Sequence, residues 1–278
     1  MDPSGLLGHL DLMKIALILL ALLSLSVARP AIADEIEVDL ELVLMVDVSR
    51  SMTERELEIQ RRGYAEALQS DSVFSAVQSG LLQRVAITYI EWAGTQEVVV
   101  GWRVVQTRAD LDAFARSLTS KFNPALRRTS ISGALSYGTA QLNNNIYKGL
   151  RRVIDISGDG PNNQGRYVVQ ARDEALAQGI IINGLPLMTR EGMGNSWHLD
   201  DLDVYYRNCV IGGPGSFVIP VLDWADFAEA VRRKLILEMV ATPQPDILVQ
   251  VQSTSRDPSD CQIGEKIWRD RQQYWGDP

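Results

Sequence analysis

The chain has 278 residues, of which 46% are hydrophobic and 22% are charged, and these values are ordinary for a globular protein. Its formal net charge of −8 argues against nucleic acid and against anionic membrane surfaces as the main partners. Its two cysteines, Cys209 and Cys261, have neither further cysteines nor neighbouring histidines, which argues against a zinc site.

The first 33 residues have the pattern of a secretory signal peptide. Met13-Lys14 precedes an apolar run over 15–27, and Ala31-Ile32-Ala33 has the small-x-small form of a cleavage site. The apolar run is too short to span a membrane comfortably. We therefore expect residues 1–33, including an upstream start extension before Met13, to be removed. The protein would then be exported, periplasmic or secreted, without stable membrane insertion.

Strand-like and helix-like stretches alternate along most of the remaining chain. Apolar runs predict strands at 39–46, 84–92, 97–105, 152–156, 180–187 and 216–221. Apolar residues spaced three and four apart predict helices at 108–118, 130–142, 167–178, 199–209 and 226–240, and another begins near Thr53. Only the link between Trp92 and Val98 is short enough for a hairpin. The expected fold is therefore α/β, a doubly wound, Rossmann-like, mostly parallel sheet with one antiparallel edge strand.

Oxygen-bearing side chains follow the predicted strands in three loops. Asp47, Ser49 and Ser51 follow the first strand, Thr129 precedes a predicted helix, and Asp159 follows the strand at 152–156. Ligands of open α/β sheets bind beyond the carboxyl ends of the strands, where such loops meet. Hard oxygen ligands with few formal charges suit Mg²⁺ or Mn²⁺.

The segment Asp47-Val48-Ser49-Arg50-Ser51 resembles the metal-ion-dependent adhesion site (MIDAS) of von Willebrand factor type A (vWA) domains. By itself an Asp-x-Ser-x-Ser motif is also typical of a helix N-terminus, but three such loops in the right order favour the metal site. The resemblance extends over about 37–240 and implies that Thr129 and Asp159 complete the site. The two serines and Thr129 would then contact the metal, and the aspartates would hold its waters or bind in exchange with Thr129.

This resemblance implies a function in binding rather than catalysis. A cation with few charged ligands stays electrophilic, and an incomplete shell leaves room for a carboxylate from outside. We therefore expect a vWA-like domain at 34–242 that binds a protein partner presenting an acidic group. A structural envelope protein with a vestigial metal site stays open as an alternative.

Further segments resemble a bacterial exported subfamily of uncharacterised function, DUF1194. They are 60–64 (Gln-Arg-Arg-Gly-Tyr), 157–163 (Ser-Gly-Asp-Gly-Pro-Asn-Asn) and Trp197-His198. Within the strand that precedes Asp159, we interpret Asp155 and Ser157 as hydrogen-bonding groups that orient Asp159.

The last part of the chain is predicted to be a polar tail at 243–278, because two prolines at 241–245 end the domain. An even number of cysteines in an exported chain favours a disulfide. A bond between Cys209 and Cys261 would tether the tail to the domain.

The main enzyme alternative is a Mg²⁺-dependent haloacid-dehalogenase-like phosphatase, whose acidic loop resembles Gly158-Asp159-Gly160-Pro161-Asn162. That chemistry needs a second aspartate as general acid at the position of Ser49, and a hydroxyl group has no carboxyl proton to donate. A serine nucleophile is typical of a Gly-x-Ser-x-Gly elbow, which this sequence lacks. It would also need a histidine as base, and His198 is the only histidine left once residues 1–33 are removed. We therefore expect no catalytic residues.

Overall fold

A computed structural model of the protein describes residues 35–119, 128–189, 199–240 and 260–275. Five strands form one sheet in the spatial order β3-β2-β1-β4-β5. In chain order they are β1 (Ile36–Asp47), β2 (Val85–Trp92), β3 (Gln96–Val105), β4 (Tyr147–Gly158) and β5 (Ile181–Pro186). All neighbouring strands are parallel except β3, which runs antiparallel to β2 at one edge. The predicted fold class is confirmed.

The helices fill the connections between the strands and cover the sheet. In chain order they are α1 (Glu54–Leu68), α2 (Asp71–Gln78), α3 (Arg108–Thr119), α4 (Ile131–Asn143), α5 (Val168–Leu176), α6 (Leu202–Tyr205), α7 (Phe227–Met239) and α8 (Ile263–Trp275). A π-helical turn (Tyr206–Val210) continues α6, and a 3₁₀ turn (Trp224–Asp226) precedes α7.

Two hydrophobic cores lie on opposite faces of the sheet, because successive residues of a strand point to opposite sides. Leu42 and Leu44 of β1 contribute to the core under α1, α3 and α7. Val43 and Met45 contribute to the second core, under α4, α5 and the π-helical turn. Burial on both faces explains why the central strands appear in the sequence as continuous apolar runs.

Two predicted elements are wrong in detail. The expected strand at 216–221 is an irregular segment that pairs with β5 and the residue after it through isolated bridges at Gly184–Val218 and Leu187–Val221. Ile219 and Val221 donate their N–H groups to the carbonyls of Gly184 and Pro186, but Pro186 has no N–H to donate in return, so a regular ladder is interrupted there. The expected helix at 199–209 is only one α-helical turn followed by the π-helical turn.

The tail predicted at 243–278 contains a helix, α8, that the sequence analysis did not predict. It follows the disulfide between Cys209 and Cys261, whose Cα atoms are 5.4 Å apart. The predicted signal peptide at 1–33, Trp197-His198 and the prolines at 241–245 lie outside the described residues. Within the described ranges, no helix is both long enough and apolar enough to cross a lipid bilayer.

Candidate metal centre

The carboxyl ends of β1, β2 and β4 lie side by side and place the predicted site at one edge of the sheet. Asp47, the last residue of β1, pairs in register with Trp92, the last residue of β2. On the other side, Val46 pairs with Ser157 of β4. Asp159 comes directly after β4, so the sheet register alone brings the first and third loops together.

Hydrogen bonds connect four of the five predicted site residues. The Ser49 backbone N–H donates to Asp47 Oδ1 at 2.7 Å. The hydroxyl oxygens of Ser49 and Ser51 are 2.9 Å apart, and the Ser51 hydroxyl donates to Asp159 Oδ1 at 2.9 Å. Asp47 and Ser49 are buried, whereas Ser51 and Asp159 are partly exposed. The first and third loops therefore form one cluster of oxygen atoms that opens toward solvent.

Thr129, the fifth predicted residue, is connected to the third loop through its backbone. Its backbone N–H donates to Asn163 Oδ1 at 3.0 Å, and its carbonyl accepts from the Asn163 backbone N–H at 2.9 Å. Asn163 lies four residues after Asp159. The Ser130 N–H also donates to the carbonyl of Ala93, just beyond β2. The second loop is thus fixed against both the third loop and the end of β2.

The other oxygen of Asp47, Oδ2, is buried and makes no hydrogen bond of normal geometry within the described residues. Burial raises the pKa of Asp47 well above its usual range, and the nearby charge of Asp159 adds to the shift, which the backbone amides of Ser49 and Asp159 oppose. Two carboxyl groups and an unsatisfied buried oxygen make this edge of the sheet favourable for a cation.

Gly158 and Tyr206 line the site beside Asp47, and neither role was predicted from the sequence. A Cβ at Gly158 would lie 2.9 Å from Asp47 Oδ2, 2.8 Å from the Tyr206 hydroxyl and 3.1 Å from the Trp92 ring. Any side chain at 158 would therefore displace the carboxylate. Burial raises the pKa of Tyr206 well above its usual value, and the charge of Asp47 adds to it. No local sequence signal marks a tyrosine that arrives from a distant π-helical turn.

The first loop is held in place by the start of α1. Thr53 and Glu56 form a capping box, in which the Thr53 N–H donates to Glu56 Oε2 at 2.6 Å and the Glu56 N–H donates to the Thr53 hydroxyl at 3.3 Å. The Gln60 side-chain amide donates to the Asp47 carbonyl at 3.0 Å, and the Trp224 indole N–H donates to Glu56 Oε1 at 3.0 Å. These contacts leave the loop little freedom.

The donor atoms of this cluster fit a hard divalent cation. Hydroxyl and carboxylate oxygens are the ligands that Mg²⁺ and Mn²⁺ prefer. Within the described residues, no group of three or more His, Cys, Asp or Glu side chains is arranged to hold a metal. A site in this protein would thus depend on hydroxyl groups, with only Asp47 and Asp159 contributing charge.

The expectation that Asp155 and Ser157 orient Asp159 is wrong. Both side chains lie on the face of the sheet that α1 and α7 cover. Asp155 forms a buried ion pair with Lys234 of α7, and Ser157 lies 3.5 Å from the carbonyl oxygen of Met45. Side chains alternate along β4, so Asp155 points to that face of the sheet. There the ammonium group of Lys234 is a stronger partner for it than the carboxylate of Asp159.

The sheet order and helix arrangement define the vWA fold. A vWA protein from Catenulispora acidiphila aligns with a TM-score of 0.52 at 11% identity, over 73% of this chain and 43% of that one. The pilus adhesin SpaC from Lactobacillus rhamnosus GG aligns with a TM-score of 0.54 at 12% identity, over 73% and 30%. Proximal thread matrix protein 1 of the mussel byssus, with a zinc-occupied MIDAS motif, gives 0.52 at 12% identity, over 74% and 49%.

The chain belongs to the DUF1194 family of proteins of unknown function, whose model matches residues 37–243. This match confirms the predicted subfamily. No curated protein matches the chain. The chain spans between about a third and a half of the length of the three structures named above, so at these identities the likeness shows the fold alone.

Proposed function

We propose that this protein is an exported protein-binding module whose binding depends on Mg²⁺ or Mn²⁺. The observation that carries the proposal is the hydrogen-bonded series Ser49–Ser51–Asp159 beside the unsatisfied Oδ2 of Asp47. Ser49, Ser51 and Thr129 would contact the metal, and Asp47 and Asp159 would hold its waters. The bound cation would supply an electrophilic position that accepts a carboxylate of the partner.

The structural relatives support an interaction role by their own descriptions. One is a pilus adhesin, another is a matrix protein, and one structure of the latter has zinc in a MIDAS motif. The partly exposed Ser51 and Asp159 would face such a partner. The chain has an acidic net charge, which repels an acidic partner. A bound cation would neutralise the carboxylates of Asp47 and Asp159 and so let an acidic group approach.

The phosphatase alternative has less support. Ser49 occupies the position of the required general acid, and its hydroxyl oxygen lies 2.9 Å from that of Ser51. An assay with p-nitrophenyl phosphate and Mg²⁺ tests this directly. Hydrolysis by the wild-type protein that Ser49→Ala or Asp159→Asn abolishes would replace the binding proposal with an enzymatic one.

The metal proposal is tested by calorimetric titration of residues 34–278 with Mg²⁺ and Mn²⁺, together with melting temperatures with and without chelator. The variants are Asp47→Ala and Ser51→Ala, and the control is Ser75→Ala, an exposed serine of α2. Ser51→Ala is the sharper variant because its side-chain contacts lie within the cluster. We expect saturable binding that raises the melting temperature, and a loss of affinity of about 10-fold or more in Ser51→Ala.

Two results would contradict the proposal. If the wild-type protein binds neither cation, the alternative of a structural protein with a vestigial site replaces it. If Ser51→Ala and Asp47→Ala bind as tightly as Ser75→Ala, the metal lies elsewhere on the molecule.

A further inference from the structure

Helix α8 lies beyond the residues that the DUF1194 model matches, yet it contacts the loops of the candidate metal centre. Cys261, just before α8, is bonded to Cys209 in the π-helical turn. After Cys261, the next buried residue is Gly264 of α8. The disulfide therefore fixes the start of α8 beside the carboxyl edge of the sheet.

The first half of α8 packs on the loop that carries Asp159. Glu265 Oε1 accepts a hydrogen bond of 2.8 Å from the side-chain amide of Asn162, which is buried and lies three residues after Asp159. A Cβ at Gly264 would lie 2.1 Å from the Asn162 carbonyl oxygen. The backbone of α8 thus approaches this loop as closely as a glycine allows.

The next turn of α8 contacts the loop that carries Thr129. The Arg128 guanidinium lies 4.5 Å from the centre of the Trp268 ring, within the range of a cation–π interaction. Arg128 has a φ of 72°, a left-handed conformation that non-glycine residues adopt rarely. The unfavourable backbone conformation of Arg128, directly before Thr129, therefore occurs where its side chain contacts α8.

Asn162 and its neighbour link the two loops beneath the helix. Asn162 Oδ1 accepts from the Ser132 backbone N–H at 2.9 Å, and Asn163 exchanges two hydrogen bonds with Thr129. One helix therefore contacts both loops at the point where they are joined, and neither contact involves the proposed metal ligands themselves.

We propose that α8 is a disulfide-anchored clamp that sets the relative positions of the Thr129 and Asp159 loops and thereby the metal affinity of the site. Asn162, Glu265 and Trp268 are its positioning residues. The inference rests on the proposed metal-binding function and extends it to a segment outside the vWA fold. Partners that hold metal ligands in place typically change metal affinity by about 10- to 100-fold when they are removed.

The first test compares Mn²⁺ affinities of the oxidised protein, residues 34–278, by calorimetry. The variants are Trp268→Ala and Glu265→Ala, and the matched control is Gln272→Ala, an exposed residue of α8. We expect affinity to fall about 10-fold in each clamp variant and to be unchanged in the control. The melting temperature in chelator is recorded for every variant, so that a loss of fold is distinguished from a loss of metal affinity.

Gly264→Ala provides a second test with opposed expectations. A Cβ at Gly264 collides with the Asn162 carbonyl whatever the role of α8, so stability should fall in either case. An α8 without a role in the site would leave Mn²⁺ affinity unchanged. If α8 is the clamp, the added Cβ must move the helix away from Asn162 and lower the affinity. A variant lacking both cysteines, Cys209→Ala with Cys261→Ala, should lower the affinity in the same direction.

The outcomes separate this inference from the proposed function. Mn²⁺ binding by the wild type with equal affinity in the clamp variants would overturn the clamp alone. No binding by the wild type would overturn the metal proposal and the clamp with it. Binding that weakens in Trp268→Ala, Glu265→Ala and Gly264→Ala but not in Gln272→Ala would support both.

Discussion

Among the individual side chains, Asp155 has an unusual environment away from the metal centre. It is buried, as are its two charged neighbours on α7, Lys234 and Glu238. Lys234 Nζ pairs with Asp155 and lies 2.9 Å from Glu238 Oε1, which also accepts from the Asn183 side chain at 3.1 Å. Tyr64 of α1 faces the same cluster. Two carboxylates thus share one ammonium group, and the cluster favours an additional proton.

The pKa of Asp155 is raised to about 7, first by burial and then by Glu238, against the opposing effect of Lys234. A carboxyl group whose pKa rises on folding binds more protons in the folded state, so its contribution to stability is greatest at low pH. That contribution is lost as pH rises from the unfolded pKa toward the folded one. We expect wild-type stability, relative to Asp155→Asn, to fall between pH 4 and pH 8.

Urea unfolding at several pH values measures this difference, and Asp270→Asn, an exposed carboxylate on α8, serves as the control. Each unit of pKa shift corresponds to about 1.4 kcal/mol, so a decrease of a few kcal/mol is expected. A difference between wild type and Asp155→Asn that stays constant, or rises with pH, would show that Asp155 is ionised throughout the range.

Between elements, α1 and α7 approach each other closely at Gly63. A Cβ at Gly63 would lie 2.5 Å from Cδ1 of the Phe227 ring, which also packs edge-on against Tyr64. Arg61, two residues earlier, forms a buried bidentate pair with Glu91 of β2 at 2.6 and 2.7 Å. The segment 60–64, which resembles DUF1194, therefore joins α1 to the metal loop, the sheet and α7.

Replacing Gly63 with alanine tests this packing. The added methyl group must displace the Phe227 ring or separate the helices, and such overpacking typically costs about 1–3 kcal/mol. The matched control is Gly101→Ala on β3, where a Cβ meets no atom within 4 Å. We expect unfolding in urea at a lower midpoint for Gly63→Ala and at an unchanged or slightly higher midpoint for Gly101→Ala. A stabilised Gly63→Ala would mean that α1 and α7 are farther apart than the structure shows.

For the protein as a whole, the fold could be predicted because the central strands are buried on both faces. Val43 and Leu44 face different cores, so β1 stands out as an apolar run in the sequence. The segment at 216–221 has a similar composition, but Pro186 of β5 has no N–H to donate to it, and the two segments pair through isolated bridges. Helix α8 escaped prediction because its contacts with Asn162 and Arg128 are distant in sequence.

The candidate site could be predicted in part for the same reason. Parallel strands end at one edge, so the order of the three loops was enough to associate Asp47, Ser51 and Asp159. Tyr206 could not be recognised from the sequence, because a π-helical turn far from the motif brings it to the site. The strands and the loops that follow them can be recognised from local sequence patterns, whereas the surroundings of a ligand depend on tertiary packing.

The central claim is that a divalent cation binds where the first and third loops meet. The most direct measurement is an anomalous difference map from crystals of residues 34–278 grown with saturating Mn²⁺, beside crystals of Ser51→Ala. We expect one strong peak next to the hydroxyls of Ser49 and Ser51 and the carboxylate of Asp159, and no peak there in the variant. A wild-type map without a peak at this edge of the sheet, or with its strongest peak elsewhere, would contradict the account.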